Sequence, residues 1–141
     1  AMPLIRYRTR DITTLNREEC SCGRTLITMS KILGRSDDMM IISGVNVFPS
    51  QIESILLDVE EVEPQYVIII RKKGYLDALA VDVEAKPDLY SLGPDKLEET
   101  ALMISNKIKG TIGINVAVTV VPPKTIERSE GKAQRIMDTR E

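Results

Sequence analysis

The pattern of apolar positions sharpens after Lys31. Met39-Met40-Ile41-Ile42 and Val45-Asn46-Val47 flank Ser43-Gly44, a pair with hairpin-turn chemistry, and predict two short strands joined by a tight turn. Pro49 then stands where a first helical residue is tolerated, and Ile52, Ile55, Leu56 and Val59 recur at i, i+3, i+4 and i+7. That spacing predicts an amphipathic helix ending between Asp58 and Glu61. Residues 66–70 are a continuous, β-branched apolar run, and Leu79, Val81 and Val83 alternate with Ala80, Asp82 and Glu84, which predicts two strands joined around Lys73-Gly74. Pro94 opens a second helix with Leu97, Ala101, Ile104 and Ile108 on one face and Gly110 at its close. Residues 114–121 supply a last strand before Pro122-Pro123.

Counted from the second strand of the hairpin, the order is β-α-β-β-α-β, which lets one antiparallel sheet carry both helices on one face. The expected fold is therefore α+β, ferredoxin-like in the broad sense, preceded by a hairpin strand and an extended N-terminal segment. The first seven residues read as a strand with no polar leader, as in a piece excised from a larger protein. Residues 11–31 show neither period and are expected to be a linker with short strands at most. Residues 124–141 are mixed in charge and carry no apolar stripe, so no element is expected there.

Composition narrows the function classes. A chain of 141 residues with 43% apolar side chains suffices for one compact domain. The net charge of −2 supplies no field to hold nucleic acid, and one Phe, four Tyr and no Trp are too few for a base-stacking sheet. Charge is uneven: residues 1–35 carry seven Arg/Lys against three Asp/Glu, a stretch suited to facing phosphates locally. With no histidine, chemistry within the chain falls to Lys, Arg, Asp or backbone groups. Cys20 and Cys22 fit a reducing cytoplasm; they are half of a zinc site at best, completed only by ligands from elsewhere, and otherwise a turn with free thiols. Asp37-Asp38 lacks further carboxylates nearby, so no metal site is predicted. No apolar stretch approaches the roughly 18 residues needed to span a bilayer, and a cytoplasmic protein that does not engage a membrane is expected.

Four segments then share one resemblance. Tyr7-Arg8-Thr9-Arg10-Asp11, then Gly34-Arg35-Ser36-Asp37-Asp38 followed by Ile41-Ile42-Ser43-Gly44-Val45-Asn46-Val47-Phe48-Pro49-Ser50-Gln51-Ile52-Glu53, and lastly Glu127-Arg128-Ser129-Glu130-Gly131-Lys132-Ala133-Gln134-Arg135 resemble, in order, motifs of the adenylate-forming, acyl-activating enzyme superfamily. The wording from Val45 to Glu53, Arg10 in place of a glycine and Glu130 before Gly131 point to its phenylacetate-coenzyme A ligase branch. The resemblance implies a mobile C-terminal domain over residues 34–141, with residues 1–33 the tail end of a large nucleotide-binding domain plus linker. It implies that Asp11 binds the ribose hydroxyls, that Arg35 approaches the nucleotide, and that Asp37 is the hinge. Lys132 matches the catalytic lysine, and Ser43 and Gly44 fall on the face that admits coenzyme A.

Each implied role has a physical reason. A carboxylate can accept from two vicinal hydroxyls at once. An ammonium offsets the repulsion between a substrate carboxylate and an α-phosphate; at about 4 Å and an effective dielectric near 20 it is worth roughly 4 kcal/mol, on the order of a thousandfold in rate. A glycine leaves room for the pantetheine arm. ATP, coenzyme A and Mg²⁺ are the implied cofactors, the magnesium held mainly by phosphates and the large domain. The implied partners are that missing large domain and a small aryl carboxylic acid. The fragment alone is expected to be inactive, and an orphaned docking face makes a homodimer possible. The rival expectation is a ferredoxin-like regulatory module that binds a small molecule.

Overall fold

The computed structural model describes residues 5–128 and 135–140. The chain forms two compact units, Ala1–Met39 and Met40–Glu141.

The first unit is built from two small antiparallel ladders. Strand β1 (Asp11–Ile12) pairs with β4 (Gly34–Arg35), and β2 (Leu15–Asn16) pairs with β3 (Thr28–Met29). Side chains reinforce the ladders: Thr13 Oγ1 donates to the Ser30 carbonyl over 2.9 Å, and the Thr14 amide donates to Ser30 Oγ over 3.1 Å. Among the described residues no apolar side chain of this unit is buried, and Leu15, Leu26, Met29 and Leu33 are exposed. Short strands were expected here and are found. Of the expected N-terminal strand, residues 1–4 lie outside the described residues, and Ile5 and Arg6 form a turn, with Arg6 at φ 58°.

The second unit carries the core. Strands β5 (Met40–Ile42) and β6 (Val45–Val47) form the hairpin around Ser43-Gly44. Helix α1 (Pro49–Leu57) follows, with Pro49 at its first position and the Gln51 side chain accepting from the Phe48 amide over 3.0 Å. Strands β7 (Val62–Lys73) and β8 (Leu76–Ala85) form a long antiparallel pair. Helices α2 (Pro87–Ser91) and α3 (Pro94–Ile112) lead to β9 (Val116–Val121), and β10 (Ile136–Asp138) ends the fold. Helix α1 packs on β7 and on α3, and α3 packs on β9. Ile52, Ile68, Val81, Val83, Ile104 and Ile108 are wholly removed from solvent between these layers, each such side chain contributing about 1.5–3 kcal/mol.

The α+β class is as expected; the sheet is not the antiparallel ferredoxin-like one. Its order is β10-β7-β8-β9, with β8 and β9 parallel and β10 and β7 parallel. Two helices between β8 and β9 make the crossover that a parallel pair requires. Among the described residues strand β6 pairs with β5 alone, and β10 lies beside β7. That strand was not expected: Ile136 is half-buried and Met137 is 53% exposed, so its three residues show no alternation, and the ladder with β7 alone defines it. Helix α3 runs past Gly110 to a cap at Gly113, whose φ of 84° suits glycine and whose amide donates to the Lys109 carbonyl over 2.9 Å. Helix α2 was also missed, since five residues are too few to establish a helical period.

Candidate functional site

Three of the residues singled out from sequence meet in the first unit. The β1–β4 ladder sets Asp11 opposite Arg35. Two residues on, Asp37 receives a two-pronged ion pair from Arg35: Nε donates to Oδ1 over 3.0 Å and Nη2 to Oδ2 over 2.8 Å. Arg10 Nη1 stands 3.9 Å from the same carboxylate. Arg10 has φ 67°, and its carbonyl accepts from the Ser36 amide over 2.8 Å, which folds Arg10 and Asp11 onto the turn leading to Asp37. The hydrogen bonds from Arg35 hold the Asp37 carboxyl below its ordinary value, and the same bonds hold Arg35 above its own. Asp37 is thus exposed but engaged. A carboxylate presented beside a guanidinium can accept sugar hydroxyls, while the guanidinium has a competing anionic partner already in place.

Ser43 and Gly44 lie at the tip of the β5–β6 hairpin in the second unit, both exposed, with φ 49° and φ 83°. Two positive φ values are what a two-residue hairpin turn requires, because its twist then matches the strands. Gly44 meets this freely, and a Cβ built there finds no atom within 4 Å. For Ser43 the left-handed region costs about 1–2 kcal/mol; Ser43 Oγ offsets part of that by donating to the Asp77 carbonyl over 2.8 Å. The Asp77 side chain accepts from Arg140 Nη1 over 2.9 Å. Arg140 is held above its ordinary value, first by the bonds to Asp138 and then by those to Asp77.

Lys132 lies outside the described residues. The described residues on either side of it, up to Arg128 and from Arg135, are tied to the sheet by pairs that sequence reasoning missed. Before it, Glu84 is wholly buried and accepts from the Ile126 amide over 2.7 Å and from Arg128 Nη1 and Nη2 over 3.0 and 2.8 Å. Burial pushes the Glu84 carboxyl up, but the bonds from Arg128 and from the Ile126 and Lys124 amides outweigh it and leave the carboxyl below its ordinary value. After it, the Arg135 carbonyl accepts from the Ile68 amide over 2.8 Å, and the Arg135 guanidinium pairs with Glu53 and lies 4.8 Å from the centre of the Tyr66 ring. Burial raises the Tyr66 hydroxyl, and the bond from Arg135 opposes this without reversing it. In the alternation along β8, Glu84 reads as a solvated acid; only the distant Arg128 reveals otherwise.

Cys20 and Cys22 are free thiols with their sulfurs 3.1 Å apart at the Gly23 turn, and the Cys22 amide is the first cause lowering the Cys20 thiol. Among the described residues no group of three or more His, Cys, Asp or Glu side chains could hold a metal ion.

Residues 44–140 match the family described as AMP-binding enzyme C-terminal domain. Phenylacetate-coenzyme A ligases of Thermus thermophilus and Escherichia coli are each 43% identical over 99% of the chain, which spans 34% and 31% of their lengths, so it corresponds to about a third of these curated relatives. Among solved structures, 2-hydroxyisobutyryl-CoA ligase in the postadenylation state, in complex with R3-HIB-AMP, matches with a TM-score of 0.84 at 31% identity, over 96% of this chain and 29% of that one. A domain of phenylacetate-coenzyme A ligase from Bacteroides vulgatus matches at 33% identity with a TM-score of 0.67, over 74% of this chain and 95% of that one. The chain belongs to the AMP-binding enzyme C-terminal domain family.

Proposed function

We propose that this chain is the mobile C-terminal module of an ATP-dependent aryl-acid coenzyme A ligase of the phenylacetate type. In the whole enzyme a carboxylate attacks the α-phosphate of ATP, giving acyl-adenylate and pyrophosphate. The coenzyme A sulfur then forms the thioester bond at the acyl carbon, AMP leaves and the thiol proton is released. Residues 34–141 form the moving domain and residues 1–33 the end of the large domain with its linker. One feature carries the reading: the border between the two compact units falls two residues beyond Asp37, the hinge position, and separates the Asp11–Arg35 pair from the Ser43-Gly44 tip. A hinge at that border can carry the second unit between two poses, one for each step, each pose stabilised by contacts the other lacks.

In this scheme Asp11 binds the ribose and Arg35 leaves Asp37 for the nucleotide. Lys132 neutralises the charge that develops in adenylation, from a loop whose flanks Arg128 and Arg135 anchor. The Ser43-Gly44 tip admits the pantetheine arm for the second step. ATP and coenzyme A accord with a cytoplasmic location, and no helix among the described residues is long and apolar enough to cross a membrane. Among the described residues no group of three or more His, Cys, Asp or Glu side chains could hold a metal ion, and magnesium accompanying ATP would be held mainly by the phosphates and the large domain. The exposed apolar side chains of the first unit support a missing large domain as their cover. The regulatory-module reading loses its basis with the antiparallel ferredoxin-like sheet on which it rested.

Two assays test the proposal. The isolated chain should show no turnover with phenylacetate, ATP and coenzyme A; measurable thioester would contradict it. In the full-length protein Lys132→Ala should lower adenylation on the order of a thousandfold while thioester formation from supplied acyl-adenylate persists. Equal loss of both steps would remove Lys132 from its role.

A further inference from the structure

Among the described residues the β5–β6 hairpin makes no backbone ladder with the four-stranded sheet. Met40, Ile42 and Val47 anchor the hairpin in the core, and its outer edge and tip are tied further by polar side-chain bonds. Arg140 is the centre of that tie. Its Nε and Nη2 fork onto Asp138 of β10 over 2.9 and 2.6 Å, and its Nη1 donates to Asp77 over 2.9 Å and to the Ile41 carbonyl over 3.4 Å. Asp77, near the start of β8, closes the circuit by accepting from Ser43 Oγ on its own carbonyl over 2.8 Å. One guanidinium therefore links the last strand, the β7–β8 end of the sheet and the hairpin whose tip carries Ser43 and Gly44. A planar fork with donors on both nitrogens and the ε-position can do this, whereas a lysine could satisfy one partner at a time.

We infer that Asp77 and Arg140 are positioning residues for the thioester-forming step, holding the Ser43-Gly44 turn in the left-handed conformation that presents Gly44 at the tip. The inference rests on the proposed role of that turn in admitting the thiol. Neither side chain is assigned to the adenylation step: among the described residues their bonds run to the hairpin and to Asp138, not to Asp11 or Arg35 in the first unit. Losing the clamp should therefore affect one half-reaction more than the other, and a residue needed only for folding would affect both.

The test uses the full-length ligase with Asp77→Asn, Arg140→Gln, Arg140→Lys and, as a reference, Gly44→Ala. Amide hydrogen exchange of the peptide spanning residues 41–47 should rise about tenfold in Asp77→Asn and Arg140→Gln, the loss of a charge-assisted hydrogen bond, with peptides from β8 and β9 unchanged. Arg140→Lys should fall between these and the parent. Thioester formation from supplied acyl-adenylate should fall about tenfold, through a raised KM for coenzyme A, while ATP–pyrophosphate exchange stays at the parental rate. Unchanged exchange in residues 41–47 would overturn the clamp, whatever the activities. Faster exchange with both half-reactions intact, while Gly44→Ala still impairs the thioester step, would overturn the positioning role. If Gly44→Ala leaves that step intact as well, the role given to the turn falls, and this inference with it.

Discussion

A buried carboxylate is costly unless every lone pair finds a donor, and Glu84 meets that condition only because Arg128 and the Ile126 amide reach it. Removing Arg128 leaves the charge with amide donors alone. Removing one partner of such a pair destabilises because the other charge stays buried, so Arg128→Ala should lower the urea midpoint at neutral pH. The pH dependence has a definite sign. Because the folded carboxyl lies below its ordinary value of 4.5, its contribution to stability is present above that pH and is lost as pH falls through the lower folded value. Glu84→Gln removes that contribution, so its stability should fall less steeply with acidification below pH 4.5 than that of the parent chain. Parallel slopes would show that Glu84 does not titrate as an ion-paired group. None of this was readable in advance, because the partners stand 44 residues apart and each looks solvated in its own segment.

Two glycines at the end of helix α3, one inside it and one capping it, have opposite requirements. Gly110 is helical with open space where a Cβ would stand, whereas Gly113 caps the helix at φ 84°. Gly110→Ala should therefore stabilise by up to about 1 kcal/mol, and Gly113→Ala should destabilise by a similar amount. Thermal unfolding of the two variants measures the difference, and a stabilising Gly113→Ala would contradict the cap assignment. The apolar spacing located the helix but misplaced its end, because Gly110 and Gly113 look alike in a sequence and only the backbone turn distinguishes them. Elements with strong periods were legible: α1, β7, β8, α3 and the Ser43-Gly44 hairpin all lie where the pattern puts them. Elements defined by distant pairing were not, and β10 and the mixed sheet order are the examples. The candidate site divides in the same way. Asp11, Arg35, Asp37, Ser43 and Gly44 stand in readable local motifs, while Asp77 and Arg140 are 63 residues apart and meet only in the fold.

At the scale of the whole molecule, the two units differ in kind. Ala1–Met39 has no buried apolar side chain among its described residues, and Met40–Glu141 holds the entire described core. In the isolated chain, hydrogen exchange should accordingly be fast throughout the first unit and slow in β7, β8 and α3. Equal protection of both would mean that the first unit does not depend on a missing partner. The central claim is that one module serves two chemical steps with two separate sets of residues, Lys132 for adenylation and the Ser43-Gly44 tip for thioester formation. The most direct measurement sets the rate of ATP–pyrophosphate exchange against that of thioester formation from supplied acyl-adenylate, in full-length Lys132→Ala and Gly44→Ala. The first variant should lose exchange and keep the thioester step, and the second should do the reverse; both variants losing both steps in equal proportion would contradict the account.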